Sequence, residues 1–322
     1  MEDTDHPLTD HQLVLDCIAE ARRNGVNDAD LRAVVNEAYV KAKAAGPSRG
    51  RSRLRTRSAA PAGPALSNPL RDPRFVANTR TLAEHGPGRP RVIGGQPVPK
   101  GVFLHCVAVG SGSLWACTGT LIAPQVVVTA GHCSDYATRI FVGEEVPKGL
   151  VVGAKPVRHP GYNEMTKEND LTVMLLDEEV DVTPCRIAPA SLIDAAAYGR
   201  VVGFGNTDPD GTKGYGTKLW VDVPIASTGC GGEADGKPDR EAYACFLGRE
   251  LVAGKPMLAK DSCTGDSGGP FYLDGDNDEW FVAGATSRAV NGTPHDCGDG
   301  GVYVRLDAYR TWIESVAKVS LA

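Results

Sequence analysis

Val126-Val127-Val128-Thr129-Ala130-Gly131-His132-Cys133 runs four β-favouring residues straight into a small-residue turn that carries a histidine. Three valines and a threonine are stiff at χ1 and suit a pleated, buried surface. The run therefore reads as a short strand with an imidazole at its end. The same texture spreads outward from it. Short β-rich runs at 102–109, 118–122, 139–142, 171–176, 200–204, 219–225, 280–285 and 302–304 alternate with Gly, Pro and Asp turns from Val92 onward. Regular strand–turn spacing without intervening helical periodicity predicts an all-β sandwich or barrel. Only the tail differs: Asp307 is placed to cap a helix that buries Tyr309, Trp312, Ile313 and Val316 on one side. No internal repeat points to a solenoid.

Two further segments carry chemistry. Cys263-Thr264-Gly265-Asp266-Ser267-Gly268-Gly269-Pro270 sets one serine among glycines, just before the strand-like Phe271-Tyr272-Leu273. Asn169-Asp170-Leu171-Thr172-Val173-Met174-Leu175-Leu176 places a carboxylate at the mouth of an apolar strand. A carboxylate entering such a strand is costly unless hydrogen-bonded. A serine hydroxyl is a weak nucleophile near neutral pH and needs an imidazole base, a carboxylate to orient that base, and N–H donors for the developing oxyanion. His132, Asp170 and Ser267 supply the first three parts.

At these residues the chain closely resembles the chymotrypsin/trypsin family of serine endopeptidases. The order His, Asp, Ser separates it from subtilisin-like and α/β-hydrolase arrangements, and the separations of about 38 and about 97 residues suit the family. Gly203-Phe204-Gly205, His159-Pro160-Gly161-Tyr162, Val221 to Ile225 and Gly301-Val302-Tyr303 extend the likeness over Val92 to about Ala317. The resemblance implies two packed six-stranded antiparallel β-barrels with a C-terminal helix and the triad in the cleft between them. It implies an oxyanion hole from the N–H groups of Gly265 and Ser267, with Ser287 supporting Asp170. Protein or peptide substrates follow, and neither a metal nor an organic cofactor is required. Glu144-Glu145 reads as a solvated acidic turn rather than a calcium loop. The remaining histidines show no ligand spacing.

Arg91-Val92-Ile93-Gly94-Gly95 matches the family's activation junction, where cleavage frees a Val92 amine to pair with Asp266. Asp261, six residues before Ser267, matches the floor of the primary specificity pocket, which Ser287, Ala289 and Gly301 would help to line. A carboxylate there pairs with guanidinium or ammonium, so the resemblance implies cleavage after Arg or Lys. Arg91 is then a substrate for the enzyme itself, whereas Arg89 precedes Pro90. The chain departs from the family at Arg288-Ala289, where Trp-Gly is usual; both residues are expected at the pocket entrance.

The resemblance also implies the pairs Cys117–Cys133, Cys230–Cys245 and Cys263–Cys297. Cys106–Cys185 is the fourth expected pair, leaving Cys17 free, with Cys17–Cys185 as the alternative that would tether the pro-segment; sequence does not fix connectivity.

Residues 8–43 read as a helical hairpin. Thr9 and Gln12 form a capping box, one stripe runs Leu13, Val14, Cys17, Ile18, Ala21, and a second runs Leu31, Val34, Val35, Ala38, Tyr39, Ala42. Residues 44–91 are a linker by composition, with Arg49, Arg51, Arg53, Arg55 and Arg57 alternating with small or polar residues. The chain thus divides into 1–43, a pro-segment or partner-docking module, 44–91, a linker ending at the activation site, and the domain 92–322. A net charge of -6 opposes a nucleic-acid role, and no stretch is apolar enough to span a bilayer as a helix. Nine cysteines without a CxxC pair favour an oxidising, secreted or periplasmic setting over a zinc site. The acidic start, Met1 to Asp10, shows no secretory signal, so an intracellular effector triggered through the hairpin stays open. A non-catalytic binding module on the same fold is the remaining alternative, and a monomer is expected.

Overall fold

The computed structural model describes residues 95–207, 214–254, 260–275, 279–290 and 297–321. The expected hairpin, the linker, Arg91, Val92 and Cys17 lie outside the described residues. After the short β1 (Gln96–Pro97), six strands follow: β2 (Cys106–Ser111), β3 (Leu114–Ala123), β4 (Val126–Thr129), β5 (Arg139–Val142), β6 (Leu150–Arg158) and β7 (Thr172–Leu176). They close into an antiparallel barrel in the order β2-β3-β4-β7-β6-β5. The strand read first from sequence, β4, pairs with β3 on one side and β7 on the other. Flanked on both sides, its valines are almost completely buried.

The chain then passes through β8 (Arg186–Ile187) and helix α1 (Ala190–Ala195) into β9 (Tyr198–Gly203) and β10 (Leu219–Ser227). A small hairpin of β11 (Glu233–Ala234) and β12 (Lys237–Pro238) precedes helix α2 (Asp239–Ala242). β13 (Glu250–Ala253), β14 (Pro270–Asp274), β15 (Trp280–Ala289) and β16 (Gly301–Arg305) complete the sheet. Pairings β9–β10, β10–β13, β13–β16, β16–β15, β15–β14 and β14–β9 close a second six-stranded ring. Each strand alternates side chains across the sheet, so closure gives each barrel an apolar interior and removes open edges. A shared core joins the two: Val107, Leu121 and Val127 of the first belong to one buried cluster with Tyr272, Val282 and Val304 of the second. The all-β, two-barrel architecture expected from sequence is the architecture found.

The elements differ from expectation in places. The run from Val102 becomes a strand only at Cys106, because Phe103 adopts a positive φ of 49° and stacks on Tyr272 at 4.9 Å. The C-terminal helix α3 (Arg310–Ala317) buries Ile313 and follows a 3-10 turn at Asp307–Tyr309. Asp307 does not cap it; its carboxylate instead accepts from Arg305 Nε at 3.1 Å and Nη2 at 2.8 Å.

Three of the expected disulfides are present: Cys117–Cys133, Cys230–Cys245 and Cys263–Cys297. The fourth is not. Cys106 and Cys185 are separate buried thiols, directed at the Val202 carbonyl at 3.7 Å and the Trp280 carbonyl at 3.4 Å. Burial pushes both thiols up to about 12, so neither is a reactive thiolate near neutral pH. Among the described residues no helix is long and apolar enough to cross a membrane.

Candidate active site

The 3-10 segment Gly131–Tyr136 follows β4 and lifts His132 from the end of that strand. Asp170 stands just before β7, the neighbour of β4, so the ladder between them brings imidazole and carboxylate together. Gly131 makes the approach possible: a Cβ there would lie 2.9 Å from Leu171 N and 3.1 Å from Asp170 Oδ1. Asp170 is fully buried. Its Oδ1 accepts the His132 backbone N–H at 2.8 Å, and its Oδ2 lies 2.9 Å from His132 Nδ1. The Ser287 hydroxyl donates to Oδ2 at 2.6 Å. Burial alone would raise the carboxyl, but the His132 charge and the hydrogen bonds from His132 and Ser287 outweigh it and hold Asp170 below the usual carboxylate range. With Nδ1 directed to the carboxylate, Nε2 is the ring nitrogen left to act as a base.

Ser267 sits on a tight turn in which Asp266 N–H donates to Cys263 O at 2.9 Å and Gly269 N–H to Asp266 O at 2.7 Å. Both barrels hold that turn. Thr118 of β3 donates its N–H to Ser267 O at 2.9 Å and its hydroxyl to Gly265 O at 2.8 Å. Gly268 N–H reaches Thr286 O of β15 at 2.7 Å, one residue from Ser287. Gly268 has φ +76°, and a Cβ there would lie 2.1 Å from Thr129 Oγ1. The structure thus brings His132 and Asp170 into direct contact and sets Ser267 on the adjoining turn. Among the described residues no hydrogen bond joins Ser267 Oγ to His132. Apo sites often tighten this bond only when substrate arrives. The N–H groups of Gly265 and Ser267 are likewise without protein acceptors among the described residues.

Asp266 points inward from the same turn and is fully buried. Its Oδ1 accepts Gly205 N–H at 2.8 Å and its Oδ2 accepts Cys263 N–H at 2.9 Å. Burial raises its carboxyl to about 6 despite these bonds. Asp261 lies deep beside the disulfide Cys263–Cys297 and accepts from Tyr303 OH at 2.7 Å. Burial raises it to about 7, against the Tyr303 and Ser262 hydrogen bonds. Ala289 and Gly301 face each other across β15 and β16, and a Cβ on Gly301 would come within 3.2 Å of Asp261 Oδ2. The expected pocket residues are therefore neighbours.

Arg288 departs from expectation. Its side chain is only 6% exposed and pairs with Glu250, so the guanidinium turns into the protein rather than standing free at an entrance. Sequence reasoning also missed Thr118, whose contacts with Gly265 and Ser267 span the two barrels, and Tyr303, the partner of Asp261. The period-2 rule could have found Tyr303, since it shares a strand face with Gly301. The cluster of ligand-type atoms among the described residues is Cys117, His132 and Cys133, and its two sulfurs are joined to each other.

Paired β-barrels with a buried carboxylate on an imidazole, beside a serine in a glycine turn, define the architecture of a serine protease. A sequence model of the family described as Trypsin matches residues 92–313. Serine protease 1 of Rattus norvegicus is 29% identical over 235 residues, covering 70% of this chain and 89% of that protein. Cationic trypsin-3 of the same organism and Trypsin 5G1 of Aedes aegypti are each 30% identical, across 70% of this chain and 88% and 85% of theirs. The chain belongs to the trypsin family, and it is a serine protease acting on protein or peptide substrates.

Proposed function

We propose that the protein is an endopeptidase that cleaves after Arg or Lys through an acyl-enzyme, with His132, Asp170 and Ser267 as its triad. The observation that carries the triad is the fully buried Asp170, held between His132 Nδ1 at 2.9 Å and Ser287 Oγ at 2.6 Å. In this reading Ser267 Oγ attacks the scissile carbonyl while His132 Nε2 takes its proton. Asp170 keeps the ring in the required tautomer and stabilises the imidazolium. The Gly265 and Ser267 N–H groups stabilise the tetrahedral oxyanion. His132 then protonates the leaving amine, and water repeats the sequence to release the acid.

Specificity rests on Asp261. A cationic side chain entering the pocket meets a carboxylate already backed by Tyr303, while Ser287, Ala289 and Gly301 shape the walls. The charged pair forms only when Asp261 is ionised, and Asp261 is raised to about 7. An aryl amidinium should therefore bind Ser267→Ala about tenfold more weakly for each pH unit below that value, and show a plateau above it. Calorimetric titration between pH 5 and 8 measures this; a flat affinity would remove Asp261 as the receptor.

Residues 1–91 are a pro-segment in this account, with 1–43 available to a docking partner and 44–91 as tether. Cleavage between Arg91 and Val92 frees an amine for Asp266, which has only backbone N–H partners among the described residues. Neutralising a buried carboxylate would then organise the oxyanion turn. Intact mass followed over time tests this. Wild type should give a chain starting at Val92, and Ser267→Ala should not. Cleavage of both would point to an outside protease, and a stable, inactive wild type after cleavage at Arg91 by added trypsin would favour a binding module.

A further inference from the structure

Behind Ser287 the hydrogen bonding continues through two charged residues that the proposed mechanism does not use. Arg288 meets Glu250 as a fork: Nη1 donates to Oε1 and Nη2 to Oε2, each at 2.7 Å. Both side chains are nearly sealed from solvent, at 6% and 2% exposure. Nη2 also donates to Ala244 O at 2.7 Å, and Nη1 to Ser287 Oγ at 3.2 Å. A hydroxyl has one proton and two lone pairs. With Asp170 an acceptor and Arg288 a donor, the Ser287 proton has one direction to point, toward Asp170. The adjacent Arg249 holds the approach to Asp170 from outside, donating from Nη1 to Glu168 Oε1 at 2.7 Å and Asn169 Oδ1 at 3.2 Å. The Arg249-Glu250 dipeptide thus grips the segment leading into Asp170 and the side chain behind its serine partner.

We propose that Arg288, with Glu250 as its counter-charge, is a positioning residue for the triad, fixing the Ser287 hydroxyl as a donor to Asp170 and so holding that carboxylate against His132. The proposal rests on the reading of His132 and Asp170 as base and orienter. Charge explains why the pair comes together. Glu250 is raised by burial and further by the nearby Asp170 charge, while Arg288 opposes both effects. Without the guanidinium, a second buried carboxylate would face Asp170. Among the described residues, Lys167, Tyr136 and Tyr162, all from the first barrel, also feel the Asp170 charge. An arginine is required because a lysine ammonium cannot span two carboxylate oxygens and a hydroxyl in one plane.

Removing one charge would strand the other, so the test replaces both, with Glu250→Met and Arg288→Met together in the full chain cleaved at Arg91. Apolar replacement of a buried pair usually preserves the fold. The double variant is expected to lose about tenfold in kcat with KM little changed, and to shift or broaden the low-field proton resonance of His132 Nδ1. In a Ser287→Ala background the same pair of changes should cost nothing further, because Arg288 acts through that hydroxyl. A double variant with wild-type kcat and an unchanged resonance would overturn the proposal, as would full additivity with Ser287→Ala. Where the double variant does not fold, Arg288→Lys keeps the charge and loses the fork; wild-type kcat and resonance in it would overturn the proposal equally. If wild type hydrolyses no peptide, the protease reading of the site fails, and the resonance still decides whether Arg288 orders Asp170.

Discussion

Ser267→Ala is expected to lower peptide hydrolysis by about five to six orders of magnitude while leaving affinity for a substrate-like inhibitor within a few-fold of wild type. The asymmetry follows from the geometry. The lost hydroxyl is the attacking group, and no amount of base strength at His132 replaces a nucleophile that is absent. The pocket groups are held independently of it: Asp261 by Tyr303, Ser287 by Asp170, and the turn by Thr118 and Thr286 backbone contacts. A residual rate above water is expected from the N–H groups of Gly265 and Ala at 267, which remain. Single-turnover hydrolysis of a chromogenic peptide after cleavage at Arg91 measures the loss. Retention of even one per cent of turnover would assign the nucleophile elsewhere.

Asp261→Ser is expected to cut kcat/KM for Arg and Lys substrates by about a thousandfold, with little effect on an apolar residue at the same position. Truncating one partner of a desolvated charge pair leaves the incoming cation unpaired, which costs about 2–5 kcal/mol. The same change should not harm folding near pH 8. The Asp261 carboxyl is raised from its ordinary value to about 7 by burial, so the folded chain keeps a proton that the unfolded chain has already released above about pH 4. Stability from this group is present below the unfolded value and is lost as pH rises through about 7. Above that range the folded protein carries the full cost of a buried charge, and serine removes it. A peptide library varied at the residue before the cleaved bond, together with thermal melting at pH 5 and 8, checks both halves. An unchanged cleavage profile would refute the pocket assignment.

The parts of the site that were legible in sequence are those in which chemistry is packed into a few consecutive residues. Gly265 to Gly269 need glycine for the turn, Gly131 is needed for close approach to Asp170, and the valines of β4 announce a buried strand. The all-β class followed from strand spacing, and the two barrels and the three disulfides from resemblance. What sequence hid depends on contacts between distant residues. Thr118 lies 147 residues from Gly265, and nothing in Leu114–Ala123 marks one threonine for that role. Arg288 was expected at a pocket entrance because it sits where an aromatic residue is usual. It turns inward because Glu250, on β13, offers a buried fork, and β13 itself showed no signal in sequence. β6 was missed because Val152 is its single buried residue, Leu150 and Val151 stand exposed, and Gly153 and Pro156 break the alternation. Cys106 and Cys185 looked like a pair by subtraction alone, and packing gave each its own carbonyl. Asp307, a good cap by position, was taken by the nearer guanidinium of Arg305.

Whether His132 activates Ser267 is decided by covalent labelling with a phosphonofluoridate followed by peptide mapping. After cleavage at Arg91, one adduct should form on the peptide containing Ser267. Labelling should be lost in His132→Ala and in Ser267→Ala. An adduct on another residue, or undiminished labelling of Ser267 without His132, would mean that His132 does not activate Ser267.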